Sequence, residues 1–240
     1  MFEADVEYPL TDSLTAKGFL AYDKQAGPSP LVIIAPDWRG RSDFYCDIAR
    51  KIANLGYVGF AIDMYGNATL GVENEDKKVL LEPLRQNRDE LLRRVLSAFQ
   101  FISNQAYVNT TKIAAIGYCF GGMCVLDLAR ANADVKGVVS LHGLLSAPPK
   151  ELESTIKSKI LILHGYDDTY VKPPQVLEFA DEMTRKKVDW QIHIYGNTSH
   201  SFTKPGANDP VAGLKYNAVA NRRSWDATHY FLKEIFTEQP

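Results

Sequence analysis

Short apolar runs rich in β-branched residues alternate with segments of helical periodicity, and this alternation limits the fold more than any other feature of the chain. The runs are Leu31 to Ala35, Val58 to Ile62, Lys112 to Ile116, Gly137 to Leu141, Ile160 to Leu163 and Gln191 to Tyr195. Each is too short for a helix and almost continuously apolar, the pattern of a strand covered on both faces in a parallel sheet. Between them Asp43 to Leu55, Leu84 to Ile102, Gly122 to Arg130, Pro174 to Lys186 and Tyr216 to Phe236 carry apolar residues at helical spacing. The pattern predicts an α/β fold, with right-handed crossovers placing helices on both faces of a mostly parallel sheet. The start of the chain differs. Phe2 to Tyr8 and Leu14 to Tyr22 alternate across Thr11-Asp12-Ser13, which predicts an N-terminal antiparallel hairpin. No repeat or linker interrupts residues 1–240, which are read as a single domain. Residues 65–83, irregular and then charged, are read as a loop or small lid over the site.

Composition removes several classes of function. Hydrophobic residues make up 45% and charged residues 23%, with a net charge of −2, and no basic run is long enough for a nucleic-acid footprint. Cys46, Cys119 and Cys124 are too few and too irregular for a disulfide framework, which favours a reducing compartment. The N-terminus lacks the basic start and apolar core of a signal peptide, and no stretch approaches the roughly 18 apolar residues of a membrane span. The expectation is a cytoplasmic protein, a monomer or homodimer, with a small-molecule substrate and neither nucleic acid nor membrane as partner. No H-E-x-x-H, metal-spaced cluster or G-x-G-x-x-G occurs, so neither metal nor cofactor is expected.

The most specific motif is Gly117-Tyr118-Cys119-Phe120-Gly121-Gly122, set between the run Lys112 to Ile116 and a helical segment. A nucleophile on a sharp strand-to-helix turn needs glycines beside it, because side chains there would collide. The turn aims the side chain at a helix N-terminus, where unpaired N–H groups favour a thiolate. An isolated cysteine in a glycine-rich turn is ordinarily structural; here strand, glycines and helix coincide, and Cys119 is read as the nucleophile. Cys124 falls inside the helix as core, and Cys46 has no motif around it.

In this arrangement the acid and then the histidine follow the nucleophile along the chain. His164-Gly165-Tyr166-Asp167-Asp168 follows the run Ile160 to Leu163, so Asp167 and Asp168 compete for the acid's role. Asp168 is preferred because it opens an Asp-x-x-Val pattern ending at Val171, while Asp167 suits a turn. His200 follows the last run on a loop, where the base belongs; His142 and His164 lie at strand ends, His193 within a strand and His229 on the final helix. An oxyanion hole needs two N–H groups, assigned to Phe120 and to Trp38 in the loop after Leu31 to Ala35. Asp37, in that same loop, is read as modulating the thiol. Tyr118, Ser201 and Lys204 are assigned to substrate binding.

Together these residues resemble the dienelactone hydrolase family over nearly the whole chain. The G-Y-C-F-G-G elbow, the His200-Ser201-Phe202 sequence and the late helix carrying Trp225 bear the likeness. It implies an α/β-hydrolase fold and a Cys-His-Asp triad of Cys119, His200 and Asp168. It also implies opening of cyclic enol-lactones or cleavage of esters, without a metal. Lactone-cleaving members carry a glutamate where this chain has Asp37. They hold the substrate carboxylate with arginines, where this chain offers Lys204, Lys77 and Lys78. The expected activity is hydrolysis of activated esters or lactones, aryl esters foremost, through an acyl-enzyme, with activated aryl phosphotriesters as a side activity. The alternatives are a thioesterase or acyltransferase on the same triad, or a non-catalytic binding protein of this fold.

Overall fold

A computed structural model describes residues 1–149 and 155–237. The chain divides into two compact units, Met1–Ile116 and Gly117–Pro240. The first unit holds β1 (Phe2–Thr11), β2 (Leu14–Tyr22), β3 (Ser29–Ala35), α1 (Asp43–Asn54), β4 (Val58–Ala61), α2 (Asn74–Gln86), α3 (Arg88–Ser103) and most of β5 (Val108–Tyr118). Its strands lie in the order β1-β2-β4-β3-β5. β1 and β2 form the expected antiparallel hairpin, β2 joins β4 antiparallel, and β3 runs parallel to β4.

Every residue of β4 is buried, because the sheet is covered on both sides. On one side α1 lies so close that a Cβ on Gly59 would meet the Ala49 carbonyl oxygen at 2.4 Å. On the other side Phe60 packs its ring 5.7 Å from Tyr8 and 6.2 Å from Phe101 of α3. Full burial of such a side chain contributes roughly 1.5–3 kcal/mol. Beyond β4 the fully buried Asp63 carboxylate accepts four backbone N–H groups, from Lys17 and Tyr65 at 3.0 Å, Gly66 at 3.0 Å and Ala68 at 2.7 Å. A buried charge is tolerable only when so satisfied, and this one fastens the hairpin to the loop after β4.

The expected loop over residues 65–83 is irregular only in its first half. From Asn74 onward it is helix α2, and the single helix expected from Leu84 to Ile102 is two helices that meet at Asn87. The Asp76 carboxylate caps α2 by accepting the Glu73 N–H at 3.0 Å, and i,i+3 pairs such as Lys78–Glu75 line its exposed side. Asn87 then leaves helical geometry, at φ −110 and ψ 85, and its side chain caps α3 through the Glu90 N–H. Charged residues that read as a loop are here the solvated side of a short helix.

The second unit holds α4 (Phe120–Arg130), β6 (Gly137–Leu141), β7 (Lys159–Gly165), α5 (Pro173–Arg185), β8 (Trp190–Tyr195), the short pair β9 (Asn208–Asp209) and β10 (Leu214–Lys215), and α6 (Ala218–Thr237). β6, β7 and β8 are parallel neighbours in that order. Gly137 and Ser140, three apart on β6, face opposite ways. A Cβ on Gly137 would meet the Phe231 ring of α6 at 2.8 Å, whereas Ser140 faces Gly122 of α4, so helices cover both faces here too. The buried Arg130 ties α4 to α5 by donating to Asp127 at 3.2 Å, to Glu182 at 2.7 Å and to the Leu145 carbonyl at 3.0 Å. Mostly parallel strands, helices on both faces and an N-terminal hairpin make this an α/β-hydrolase fold. Among the described residues no helix is long and apolar enough to cross a membrane.

Candidate active site

β5 ends at Tyr118 and α4 begins at Phe120, so Cys119 alone makes the turn between them. Its backbone is left-handed, with φ 53 and ψ −114, a strained geometry for any residue with a side chain. Two hydrogen bonds to the chain at and after β6 brace it: Cys119 N–H donates to the Leu141 carbonyl at 3.1 Å, and Leu144 N–H donates to the Cys119 carbonyl at 3.2 Å. Gly117 is required by the tightness of the turn, since a Cβ there would lie 2.0 Å from the Gly121 carbonyl oxygen. Cys119 is half-buried, whereas Cys46 and Cys124 are buried. The Phe120 N–H is the first of α4 and so lies among the donors a helix cannot satisfy internally.

Asp168 lies just past β7 and His200 just past β8, neighbouring parallel strands. The two loops come together because Gly165 lets the chain pass close: a Cβ there would meet the Thr198 carbonyl oxygen at 2.4 Å. His200 Nδ1 then lies 2.7 Å from Asp168 Oδ2. The other carboxylate oxygen accepts the N–H groups of Tyr170 at 2.8 Å and Val171 at 3.0 Å. Asp167 is exposed, and its N–H donates to the Thr198 carbonyl at 3.0 Å, a loop contact. Of the two candidate acids, only Asp168 reaches the imidazole.

Burial disfavours a charged His200, but the negative charge of Cys119 and the hydrogen bond to Asp168 outweigh it and raise its pKa to about 10. His200 Nε2 is buried without a hydrogen-bond partner of ordinary geometry among the described residues. Burial alone would raise Asp168, but the hydrogen bond and charge of His200 and the backbone N–H groups of Val171 and Tyr170 lower it. A histidine raised in the folded state stabilises the fold fully below its unfolded pKa, and that stability is lost as pH rises through the folded one. For His200 the window runs from 6.5 to about 10. The melting-temperature gap between wild type and His200→Gln should therefore be largest near the lower end of that window and shrink toward its upper end. A gap that does not change with pH would contradict this.

A second histidine borders the first. His142 is buried, in left-handed conformation at φ 39, with its ring 5.1 Å from that of His200 and its Nε2 2.8 Å from Thr203 Oγ1. Burial first, and then the His200 charge, push His142 well below the ordinary histidine range, so it is a neutral neighbour. Its Nδ1, and that of His164, are buried without a hydrogen bond among the described residues. Each of these two strand-end histidines thus has one ring nitrogen unsatisfied.

The other assigned residues are placed unevenly. Tyr118 was expected to face substrate; its side chain is 2% exposed, with its ring 6.0 Å from His142. Strand alternation turns it away from the side on which Cys119 emerges. Ser201, at φ 58, and Lys204 are half-buried on the His200 loop. Asp37 is buried; its carboxylate accepts the Arg39 N–H at 2.9 Å and its N–H donates to the Tyr45 hydroxyl at 3.0 Å, so it shapes its own turn. The Trp38 carbonyl accepts from the Tyr65 hydroxyl at 3.0 Å, and Lys77 Nζ lies 5.4 Å from the Trp38 ring centre. Sequence reasoning placed His142 at a strand end without a role in the site and did not single out Thr203 or Tyr170. Only Tyr170 had a local signal, its place inside the Asp-x-x-Val pattern.

A strained strand-to-helix elbow on a mostly parallel sheet with helices on both faces is the hallmark of α/β hydrolases, and that is the class to which this fold belongs. A sequence profile of the dienelactone hydrolase family matches residues 16–236. A dienelactone hydrolase-like promiscuous phosphotriesterase from metagenomic libraries, known by crystal structure, superposes with a TM-score of 0.93 at 34% identity over 98% of each chain. A carboxymethylenebutenolidase of Pseudomonas putida is 23% identical over 236 residues, 93% of each chain. An uncharacterised protein of Caenorhabditis elegans is 37% identical over 152 residues, 61% of this chain and 95% of that one. The chain belongs to the dienelactone hydrolase family, and it is a hydrolase acting on ester or lactone bonds.

Proposed function

We propose that this chain hydrolyses activated carboxylic esters and lactones, aryl esters foremost, through a covalent acyl-enzyme on Cys119. The observation that carries the reading is His200, bound to Asp168 at 2.7 Å through Nδ1 and open at Nε2, in the electrostatic reach of the elbow cysteine. His200 takes the thiol proton, and the sulfur attacks the carbonyl carbon. The oxyanion is received by the Phe120 N–H and, on the sequence assignment, the Trp38 N–H; one such donor is worth about 3 kcal/mol. The C–O bond breaks, the departing oxygen takes the proton from His200, and water activated by His200 then cleaves the thioester. Asp37 is assigned to modulating the thiol from its place in the family pattern, and Ser201 and Lys204 to the substrate.

A second substrate class draws support from the 34% identical relative named as a phosphotriesterase. An aryl phosphotriester is uncharged, so the same thiolate can displace an aryloxide from phosphorus without a cationic clamp. An S–P bond forms, the P–O bond to the aryloxide breaks, and water then frees the phosphodiester. The test measures p-nitrophenol release from p-nitrophenyl acetate and from a p-nitrophenyl dialkyl phosphate, together with opening of a dienelactone, all in excess chelator. Release from the acetate that vanishes in Cys119→Ala is expected. No release from the acetate defeats the esterase reading, and a metal requirement defeats the mechanism for whichever substrate shows it.

A further inference from the structure

We propose that Tyr170 is a catalytic residue whose phenolic hydroxyl donates a hydrogen bond to the departing oxygen of the ester. The assignment rests on the acyl-enzyme reading and deepens it. Tyr170 stands two residues after Asp168, and its N–H is fastened to Asp168 Oδ1 at 2.8 Å. The carboxylate that orients His200 therefore also fixes where Tyr170 leaves the backbone. The Tyr170 ring lies 4.7 Å from the His200 ring, tilted by 43°, so one side of the phenol covers the imidazole. The residue is nevertheless 44% exposed, which leaves part of the ring open to an incoming molecule. Its hydroxyl finds no acceptor among the described residues.

Electrostatics keep this hydroxyl a donor. Burial first, and then the charges of Cys119, Asp168 and Asp209, hold the phenol above its ordinary pKa, so it is protonated at neutral pH. The departing oxygen must lie near His200 Nε2, because that nitrogen returns its proton, and Tyr170 covers the same ring. As the tetrahedral intermediate collapses, the C–O bond breaks and its electron pair goes to the departing oxygen. The proton comes from the His200 imidazolium, which returns to neutral. Tyr170 keeps its own proton and contributes only the hydrogen bond. Such a donor matters most for basic leaving groups, whose developing charge accepts hydrogen bonds more strongly.

The experiment compares kcat/KM, which reports the acylation half of the reaction, for wild type and Tyr170→Phe on p-nitrophenyl acetate and phenyl acetate. The substitution should cost roughly tenfold on phenyl acetate and less than about threefold on p-nitrophenyl acetate. Alkylation of Cys119 by iodoacetamide, which has no departing alkoxide, should stay within about twofold, and the melting temperature should not move. An equal loss on both esters, or none on either, would overturn the assignment and reduce Tyr170 to packing on His200. Wild type that turns over neither ester would overturn the esterase reading, and this assignment with it.

Discussion

Cys119→Ala should lower turnover of p-nitrophenyl acetate by roughly four to six orders of magnitude while leaving the protein folded. The fold should tolerate the change because the strain at this position belongs to the backbone. Alanine at φ 53 meets the same steric cost as cysteine, and both bracing hydrogen bonds use main-chain atoms. The substitution therefore removes the thiol without disturbing the elbow. Cys119→Ser keeps a nucleophilic atom and should still lose roughly two orders of magnitude or more, because a hydroxyl gives up its proton far less readily than a thiol. Iodoacetamide should label Cys119 before the other two cysteines, since Cys46 and Cys124 are buried. Labelling should inactivate the enzyme in proportion to its extent. An active Cys119→Ala, or a fully labelled enzyme that still turns over, would remove Cys119 from the mechanism.

Asp168→Asn should cost roughly four orders of magnitude in kcat, a penalty set by the wrong histidine tautomer rather than by unfolding. The geometry dictates how the new amide sits. Asp168 Oδ1 accepts two backbone N–H groups, from Tyr170 and Val171, so an asparagine must keep its carbonyl oxygen there. Its NH2 then faces His200 Nδ1 and donates to it, which places the imidazole proton on Nε2. A histidine already protonated at Nε2 cannot accept the thiol's proton. Asp167→Asn should change kcat by less than about threefold, because its side chain is exposed and the loop contact belongs to its backbone. Paired assays of the two variants, each checked for an unchanged melting temperature, decide the matter. If Asp167→Asn proves the more damaging, the acid has been misassigned.

The strands and most helices were legible in the sequence because periodicity is a local property. Gly137 to Leu141 was read as a strand and is one, residue for residue; Asp43 to Leu55 became α1, ending one residue earlier. The hairpin was legible for the same reason, since alternation encodes a half-covered strand. α2 was missed because its apolar residues are sparse and its stability comes from a cap and charged neighbours, features that resemble a polar loop when read one residue at a time. The elbow was also legible, because turn geometry restricts which residues stand beside Cys119.

What the tertiary structure alone decided concerns direction and proximity. The sequence favoured Asp168 over Asp167; the close passage at Gly165 is what brings Asp168 to His200 and leaves Asp167 exposed. Tyr118, adjacent to the nucleophile in sequence, is packed against His142, while Tyr170, distant in sequence, lies against His200. Periodicity sets which segments become strands and helices. Side-chain encounters across 32 residues, as between Asp168 and His200, depend on the register of neighbouring strands and on how closely their loops can approach, and no local pattern encodes either.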